Sequence, residues 1–378
     1  MIELTFNVYS LLITVAVIIA LTFGFLLLFI PRLNHTADKF LAILMFIVAF
    51  WNLSIIILDL GLYRYAAGII WVPLKFTLAL GPCFYFYIRF VSDFELNDAV
   101  KIWPHFIPVF FEVVLFLIQV YQGLPLGLGY FQTNTFLIFD PIVNFAAILS
   151  LMIYGYLARL RIKKYHQWVK NNYSHYHRYN LNWLYRLSGV FLLILTVWLG
   201  YLLMDYFVYD YQLTFSDYYP FHLTLAVISI WLSAETFSKS EAIYPDKTAG
   251  KEVADDALPV PDEQIQKKAL WLDQQIKENL LYLDPELSLK SLAETLDIHP
   301  NMVSRIINEG LNQTFSDCIN GYRVQAVINK LKKSAYEKST FLAIAFDCGF
   351  NSKTTFNRVF KKHLGQTPLQ FRSNLTKS

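Results

Sequence analysis

The chain has 378 residues, of which 55% are hydrophobic, 17% aromatic and only 16% charged, and its formal net charge is +3. Soluble domains carry about 25% charged residues, and the long apolar runs behind this deficit are too many to share one core, so a wholly soluble globular chain is excluded. Its three widely spaced cysteines, Cys83, Cys318 and Cys348, exclude a disulfide framework and a CxxC zinc site.

Residues 1–238 are dominated by apolar runs that predict seven membrane-spanning helices. A bilayer core about 30 Å thick needs about 20 apolar residues in helical form. Runs of suitable length lie near residues 7–30, 40–61, 69–90, 104–121, 136–158, 187–208 and 220–238. The first run lacks the preceding positive segment of a signal peptide, so we expect it to remain as a span. We therefore expect a seven-transmembrane domain over residues 1–238.

The positively charged residues predict the orientation of these spans. Lys and Arg are concentrated in the first, third and fifth loops, whereas the second loop has only Arg64 and the fourth and sixth have none. The positive-inside rule then predicts cytoplasmic odd-numbered loops, an N-terminus outside and a C-terminus in the cytoplasm.

Four ionisable residues near the outer ends of the predicted spans are candidate ligand contacts: Asp59, Lys75, Asp140 and Asp205. Ionisable groups inside membrane spans favour a functional site. The alternative is that they reach the interface or pair structurally, for example Lys75 with Asp59. Glu112, nearer the middle of its span, is a candidate for a helix–helix hydrogen bond.

The fifth loop contains His166, His175 and His177. A His-x-His pair can bind metal, but no carboxylate or thiolate in the loop completes a ligand set. We expect a solvated loop close to anionic lipid, and no metal site.

Residues 239–262 are charged, small and proline-containing, and predict a flexible cytoplasmic linker. Beyond it, residues 263–378 show short amphipathic helices. We expect the first over residues 264–279 and a longer one over residues 315–333. The apolar face of the first is expected to contain Ile265, Leu270, Leu272 and Ile276.

Two segments on either side of the longer helix each predict a helix-turn-helix unit. In the first, Ser288 caps a helix, residues 296–298 form a turn, His299-Pro300 begins a second helix, and Gly310 ends it as a C-terminal glycine. In the second, helices over residues 341–348 and 352–364 flank Gly349. The buried stripe of the latter is Phe356, Val359, Phe360 and Leu364. A last helix begins near Thr367-Pro368.

The motifs LAETLDIHPNMVSRI, YRVQA and IAFDCGF…TFNRVFKKHLGQTPLQFR lie in this region. With them, residues 263–378 resemble the DNA-binding domain of the AraC/XylS family of bacterial transcription regulators. The resemblance implies an AraC-type double helix-turn-helix domain that binds double-stranded promoter DNA. The apolar half resembles seven-span sensor domains fused to such modules, which implies the cytoplasmic (inner) membrane of a bacterium.

Residues 298–378 contain twelve Lys and Arg against four Asp and Glu, a surface suited to phosphate. We expect base contacts from the second helix of each unit, by Asn301, Ser304 and Arg305 and by Lys353, Thr354, Asn357 and Arg358. Lys361 and Lys362 are expected to contact phosphate. The two recognition helices are predicted to enter successive major grooves, about 34 Å apart.

The sequence thus predicts an all-α, membrane-anchored, sequence-specific transcription regulator that responds to a signal at or outside the membrane. Its partners would be promoter DNA, the lipid bilayer, a small-molecule or membrane signal and, through signal-dependent pairing, a second copy of the chain. We expect no catalytic residues and no cofactor, because the sequence contains no GxGxxG, GxxxxGK[ST], HExxH or GxSxG motif. The alternative is a transporter or membrane enzyme with a regulatory helix-turn-helix domain.

Overall fold

The computed structural model describes residues 7–29, 35–62, 67–92, 101–123, 134–175, 179, 181–209, 213, 215–238, 262–332 and 339–375. These residues form helices and turns, and no strand occurs among them, which confirms the all-α prediction. The chain divides into two compact units. The first comprises Met1–Asp93, Asp98–Lys163 and Leu181–Ala242, and the second comprises Phe94–Asn97, Lys164–Asn180 and Ile243–Ser378.

The first unit is built from apolar helices. They are α1 (Val8–Phe29), α2 (His35–Asp59), α3 (Leu80–Val91), α4 (Ile107–Gly123), α5 (Asn134–Asn172), α6 (Asn182–Phe207) and α7 (Tyr219–Ser238). Among the described residues, five helices are long and apolar enough to cross a membrane, and they correspond to α1, α2, α4, α5 and α6. Because α3 is short and α7 is not among the five, the count of seven spans stays a prediction.

The predicted third span, residues 69–90, is interrupted. A 3₁₀ turn over Ala67–Trp71 is followed by irregular chain, and helical structure resumes at Thr77–Ala79 before α3. Pro73 explains the break, because it has no N–H to donate and restricts the residue before it. The buried Glu112 carboxylate caps the restart, accepting hydrogen bonds from Thr77 N at 2.7 Å and Thr77 Oγ1 at 2.6 Å. The hydrogen bond expected of Glu112 therefore goes to the start of a helix.

The fifth helix is longer than its predicted span of residues 136–158. It continues to Asn172, and its residues from Lys164 onward belong to the second unit. Pro141 lies inside the helix, seven residues after its start, so its missing N–H removes one hydrogen bond of the helical backbone. The linker predicted over residues 239–262 lies almost wholly outside the described residues.

The second unit contains α8 (Asp262–Glu278), α9 (Leu289–Thr295), α10 (Pro300–Arg305), α11 (Phe315–Leu331), α12 (Phe341–Phe346), α13 (Lys353–Leu364) and α14 (Pro368–Leu375). Ile265, Leu272 and Ile276 of α8 are buried as predicted. Leu270 is not, since it is 73% exposed, and the neighbouring Ala269 takes the inward position. The face of α8 is therefore rotated by one residue from the prediction at this point.

Candidate nucleic-acid interface

The first helix-turn-helix unit is set by local capping. Ser288 accepts a hydrogen bond from Ser291 N at 3.1 Å, and Ser291 Oγ accepts one from Ser288 N at 2.9 Å, which is a capping box for α9. The turn to α10 places Asp297 at a left-handed φ of 53°. His299 then caps α10 through its Nδ1 atom, which accepts from Asn301 N at 3.2 Å. The predicted boundaries of both helices are close to those observed.

The end of α10 differs from the prediction. A π-helical turn, Ile306–Gly310, follows Arg305, and the left-handed residue beyond it is Asn312, with φ 51°. Gly310 is therefore not the left-handed C-terminal glycine that was expected. It is needed for close packing, because a Cβ at this position would lie 2.9 Å from the Cβ of Ala269. Gly310 brings the end of the first recognition helix against α8.

The second helix-turn-helix unit follows the same plan with different residues. Thr340 caps α12 and Ser352 caps α13, each through its hydroxyl. Gly349 turns the chain between them with φ 86°, and Gly365 ends α13 with φ 70°. Both glycines lie where the sequence predicted a turn or a helix end.

An aromatic core holds α13 in place. The rings of Phe350 and Phe356 have centroids 5.3 Å apart, and those of Phe356 and Phe360 are 5.4 Å apart. All three are buried, as is Val359, and Leu364 packs at the margin of the same cluster. The predicted stripe is thus the buried face, which leaves the opposite face of α13 outward.

The outward face of α13 carries the predicted base-reading residues. Lys353, Thr354 and Asn357 are exposed, Arg358 is partly buried, and the predicted phosphate contact Lys361 is exposed. Because Lys353 and Thr354 begin the helix, they lie at the end that enters a major groove in helix-turn-helix proteins.

Two of the three predicted base-reading residues of α10, Ser304 and Arg305, bond to side chains of the π-helical turn that follows the helix. Asn301, Ser304 and Arg305 are each partly buried. Ser304 Oγ accepts a hydrogen bond from Asn308 at 3.1 Å, and Arg305 Nε donates to Glu309 Oε2 at 2.8 Å. A guanine contact by Arg305 would therefore require exchange of its Glu309 partner.

Lys362, the other predicted phosphate contact, is paired with Asp317 of α11. Lys362 Nζ lies 2.6 Å from Asp317 Oδ1, and Lys170 Nζ, near the end of α5, lies 3.4 Å from Asp317 Oδ2. Burial alone would raise the pKa of Asp317, but the hydrogen bond from Lys362 and the charges of both lysines outweigh it and lower the pKa. Asp317 is thus an ionised carboxylate shared by two lysines.

Arg323 of α11 is a central residue that the sequence did not single out beyond its place in a motif. It is 0% exposed, and it donates to the carbonyl oxygens of Tyr282 at 2.7 Å and Asp284 at 2.6 Å. Burial lowers its pKa to about 10, so the guanidinium remains charged at neutral pH. A buried arginine needs this full set of acceptors, and two further partners come from residues 174 and 175.

Residues 173–175 contradict the solvated loop that was expected there. Tyr173, Ser174 and His175 are 7%, 0% and 5% exposed, and they lie within the second compact unit. His177 lies outside the described residues, and within the described part of the chain no cluster of three or more His, Cys, Asp or Glu could hold a metal ion.

In the first compact unit, the four candidate ligand residues each have protein partners. Asp59 accepts hydrogen bonds from Asn7, Ser10 and Tyr219, which join the ends of α1, α2 and α7. Asp205 accepts one from Tyr218 at 2.8 Å. Lys75 pairs with Asp140 at 3.9 Å, so the suggested pairing with Asp59 was wrong. Two of the carboxylates thus meet consecutive tyrosines, while their role as ligand contacts stays a prediction.

Comparisons with known proteins concern the second compact unit. A family model described as "Helix-turn-helix domain" matches residues 292–374, which contain the helices from α10 to α13 and most of α9 and α14. The chain is 30% identical over 106 residues to the Proteus vulgaris protein "Probable transcription factor PqrA", a match that covers 28% of this chain and 80% of the relative. No solved structure matches the chain.

Proposed function

The chain belongs, through its C-terminal domain, to the AraC family of helix-turn-helix transcription regulators, and we propose that it is a membrane-anchored member that reads promoter DNA in response to a signal at or outside the membrane. It is a DNA-binding transcription regulator. The anchoring, the orientation with an outer N-terminus and a cytoplasmic DNA-binding domain, and the sensing are the proposed parts.

One observation carries the proposal: an AraC-type double helix-turn-helix follows five helices that are long and apolar enough to cross a membrane. Each helix requires roughly 20 apolar residues to cross the hydrocarbon core, and these five have 20 residues or more. Lys and Arg in the odd-numbered loops support a cytoplasmic C-terminus, the side on which bacterial DNA lies.

We assign DNA reading chiefly to the second helix-turn-helix unit. Exposed Lys353, Thr354 and Asn357 at the start of α13, with Arg358 beside them, have donor and acceptor groups suited to base edges in the major groove. Asn301, Ser304 and Arg305 are assigned the same role in α10. Lys361 and Lys362 would hold the backbone, which positions the helix without reading sequence.

Signal reception is assigned to the first compact unit, which contains the apolar helices. Asp59, Lys75, Asp140 and Asp205 are the proposed ligand contacts, because ionisable groups in membrane spans are costly and usually serve a function. A ligand that replaced one of their present protein partners would shift the packing of the helices that carry them. A small molecule, a membrane component and a second copy of the chain each fit this role.

Replacement of Arg305 and Arg358 by alanine in the cell, followed by transcript profiling, tests the proposal. We expect the double variant to reproduce the transcript changes of a deletion strain, since both arginines are the proposed guanine contacts. The matched control is Arg186→Ala, which removes an exposed arginine of the first unit that pairs with Glu235. A cellular phenotype that survives the double change would contradict DNA reading and favour a transporter or membrane enzyme.

A further inference from the structure

We infer that residues 173–175, here called the docking segment, bind a cleft in the DNA-binding domain and hold its two helix-turn-helix units in one orientation, so that α5 controls DNA binding. This inference rests on the proposed function for its second half. The docking itself rests only on contacts within the second compact unit.

Ser174 is the centre of the docking segment, and all its polar groups are satisfied by the DNA-binding domain. Its backbone N and its Oγ donate to the carbonyl oxygen of Leu287, at 3.3 and 2.7 Å. Its own carbonyl oxygen accepts from Ser316 Oγ at 3.2 Å and from Asn320 Nδ2 at 3.0 Å. Ser174 therefore joins the chain just before α9 to the first half of α11.

His175 extends the same contact to the second helix-turn-helix unit. Its Nε2 atom lies 3.2 Å from the carbonyl oxygen of Gly349, in the turn between α12 and α13, and 3.1 Å from Nη1 of Arg323, and it donates to the first or accepts from the second according to its tautomer. Nη2 of Arg323 also lies 3.3 Å from Ser174 Oγ. The docking segment thus contacts both helix-turn-helix units and the buried arginine that lies between them.

The docked arrangement is compatible with DNA binding. The segment contacts Leu287, Gly349 and α11, whereas Lys353, Thr354 and Asn357 on α13 remain exposed. Lys170, one turn before the segment, shares Asp317 with Lys362 and so weakens the hold of Asp317 on a proposed phosphate contact. Docking therefore favours the binding-competent state, and undocking disfavours it.

The route from signal to DNA follows from the continuity of α5. This helix runs from Asn134 to Asn172, directly before the docking segment, and contributes residues to both compact units. Asp140, a proposed ligand contact, lies near its other end. A signal that shifts α5 would change how often the docking segment occupies the cleft. Because the docked segment fixes the orientation of the two helix-turn-helix units, this occupancy sets the effective concentration of one recognition helix at its DNA site once the other helix has bound.

The test replaces Ser174 by arginine in the full-length chain held in lipid nanodiscs. Because Ser174 is 0% exposed, an arginine cannot enter the cleft and the segment should leave it. We expect faster amide exchange in peptides covering residues 281–288 and 316–324, and DNA affinity lower by about tenfold. The matched control, Gln167→Arg, adds the same charge at an exposed position on α5 and should change neither.

The outcomes separate the docking from the proposed function. Unchanged amide exchange in Ser174→Arg would overturn the docking, and faster exchange with unchanged DNA affinity would overturn the control of binding. Failure of the wild-type chain to select any DNA sequence would contradict the proposed function, while the exchange data would still judge the docking. Protection of residues 356–364 shows that the domain remains folded, and Ser174→Ala, which removes only the hydroxyl, should give a smaller effect in the same direction.

Discussion

The guanidinium of Arg323 lies 3.3 Å from the hydroxyl of Ser174, a residue 149 positions earlier in the chain. Arg323 is wholly buried and is held by the carbonyl groups of Tyr282 and Asp284 as well. A buried charge is tolerated only when its hydrogen bonds are satisfied, so this arginine ties together chain segments that are remote in sequence. The stability of the DNA-binding domain should depend on it.

Arg323→Met should destabilise the DNA-binding domain by about 2–6 kcal/mol, because it removes the arginine donors to the buried carbonyl oxygens of Tyr282 and Asp284, at about 1–3 kcal/mol each. Alkylation of Cys318 and Cys348 in the full-length chain measures this effect. Both are buried, and burial raises their pKa to about 12 and about 11, so they react only when the domain opens. The control Lys332→Met, at an exposed position, should leave both rates unchanged, and equal rates in the two variants would contradict the prediction.

Gly349→Ala should destabilise the domain more than Gly365→Ala. Both glycines have positive φ, which costs an alanine about 1 kcal/mol. At Gly349 the added Cβ would also lie 2.5 Å from the carbonyl oxygen of Tyr282 and 2.9 Å from Nε of Arg323, whereas at Gly365 nothing lies within 4 Å. Faster alkylation of Cys348 in Gly349→Ala than in Gly365→Ala is expected, and the reverse order would contradict the observed packing.

These glycines and caps show what sequence could reveal. Ser288, Thr340 and Ser352 precede apolar stripes at helical spacing, and such signals are local, so the helices of both units were predicted close to their observed bounds. The docking segment could not be predicted, because its partners lie more than a hundred residues away and no periodicity marks them. A histidine pair in a basic loop has the same appearance whether the loop is solvated or buried.

The membrane half shows the same division. Apolar length predicted the long helices, but the cap where helical structure resumes at Thr77 is the Glu112 carboxylate, which comes from a different helix. Likewise, pairing of Lys75 with Asp140 rather than Asp59 is decided by how the helices pack. Among the candidate DNA contacts, the exposure of the α13 residues followed from the buried stripe of that helix. The pairing of Lys362 with Asp317, which is 45 residues away, required the structure.

Arg358→Ala and Lys361→Ala should weaken DNA binding in different ways. Loss of a base contact at Arg358 should cost about 1–3 kcal/mol and relax selectivity at one base pair. Loss of a phosphate contact at Lys361 should weaken binding to all sequences similarly and reduce the slope of log affinity against log salt by about one. Fluorescence anisotropy with a set of single-base variants and a salt series measures both. Uniform weakening by Arg358→Ala would contradict its assignment.

Asp317→Asn should strengthen DNA binding several-fold at low salt, because it releases Lys362 towards phosphate. The pKa of Asp317 is lowered, so the carboxylate is ionised at every pH above the ordinary aspartate value of about 4. Its ion pairs are lost only as the pH falls through the lowered pKa. The gain should therefore be equal at pH 6 and pH 8. In a Lys362→Ala background the gain should disappear, and a gain of the same size there would show that Lys362 is not involved.

The most direct test of a membrane-anchored DNA reader uses inverted membrane vesicles, with the cytoplasmic face outward, from cells that express the full-length chain. Labelled DNA from upstream of its own gene is sedimented with the vesicles in the presence of excess nonspecific DNA. We predict selective capture by inverted vesicles, none by right-side-out vesicles, and loss of capture in Asn357→Ala with Arg358→Ala. Capture that is equal for both vesicle orientations, or unchanged in the double variant, would contradict the account.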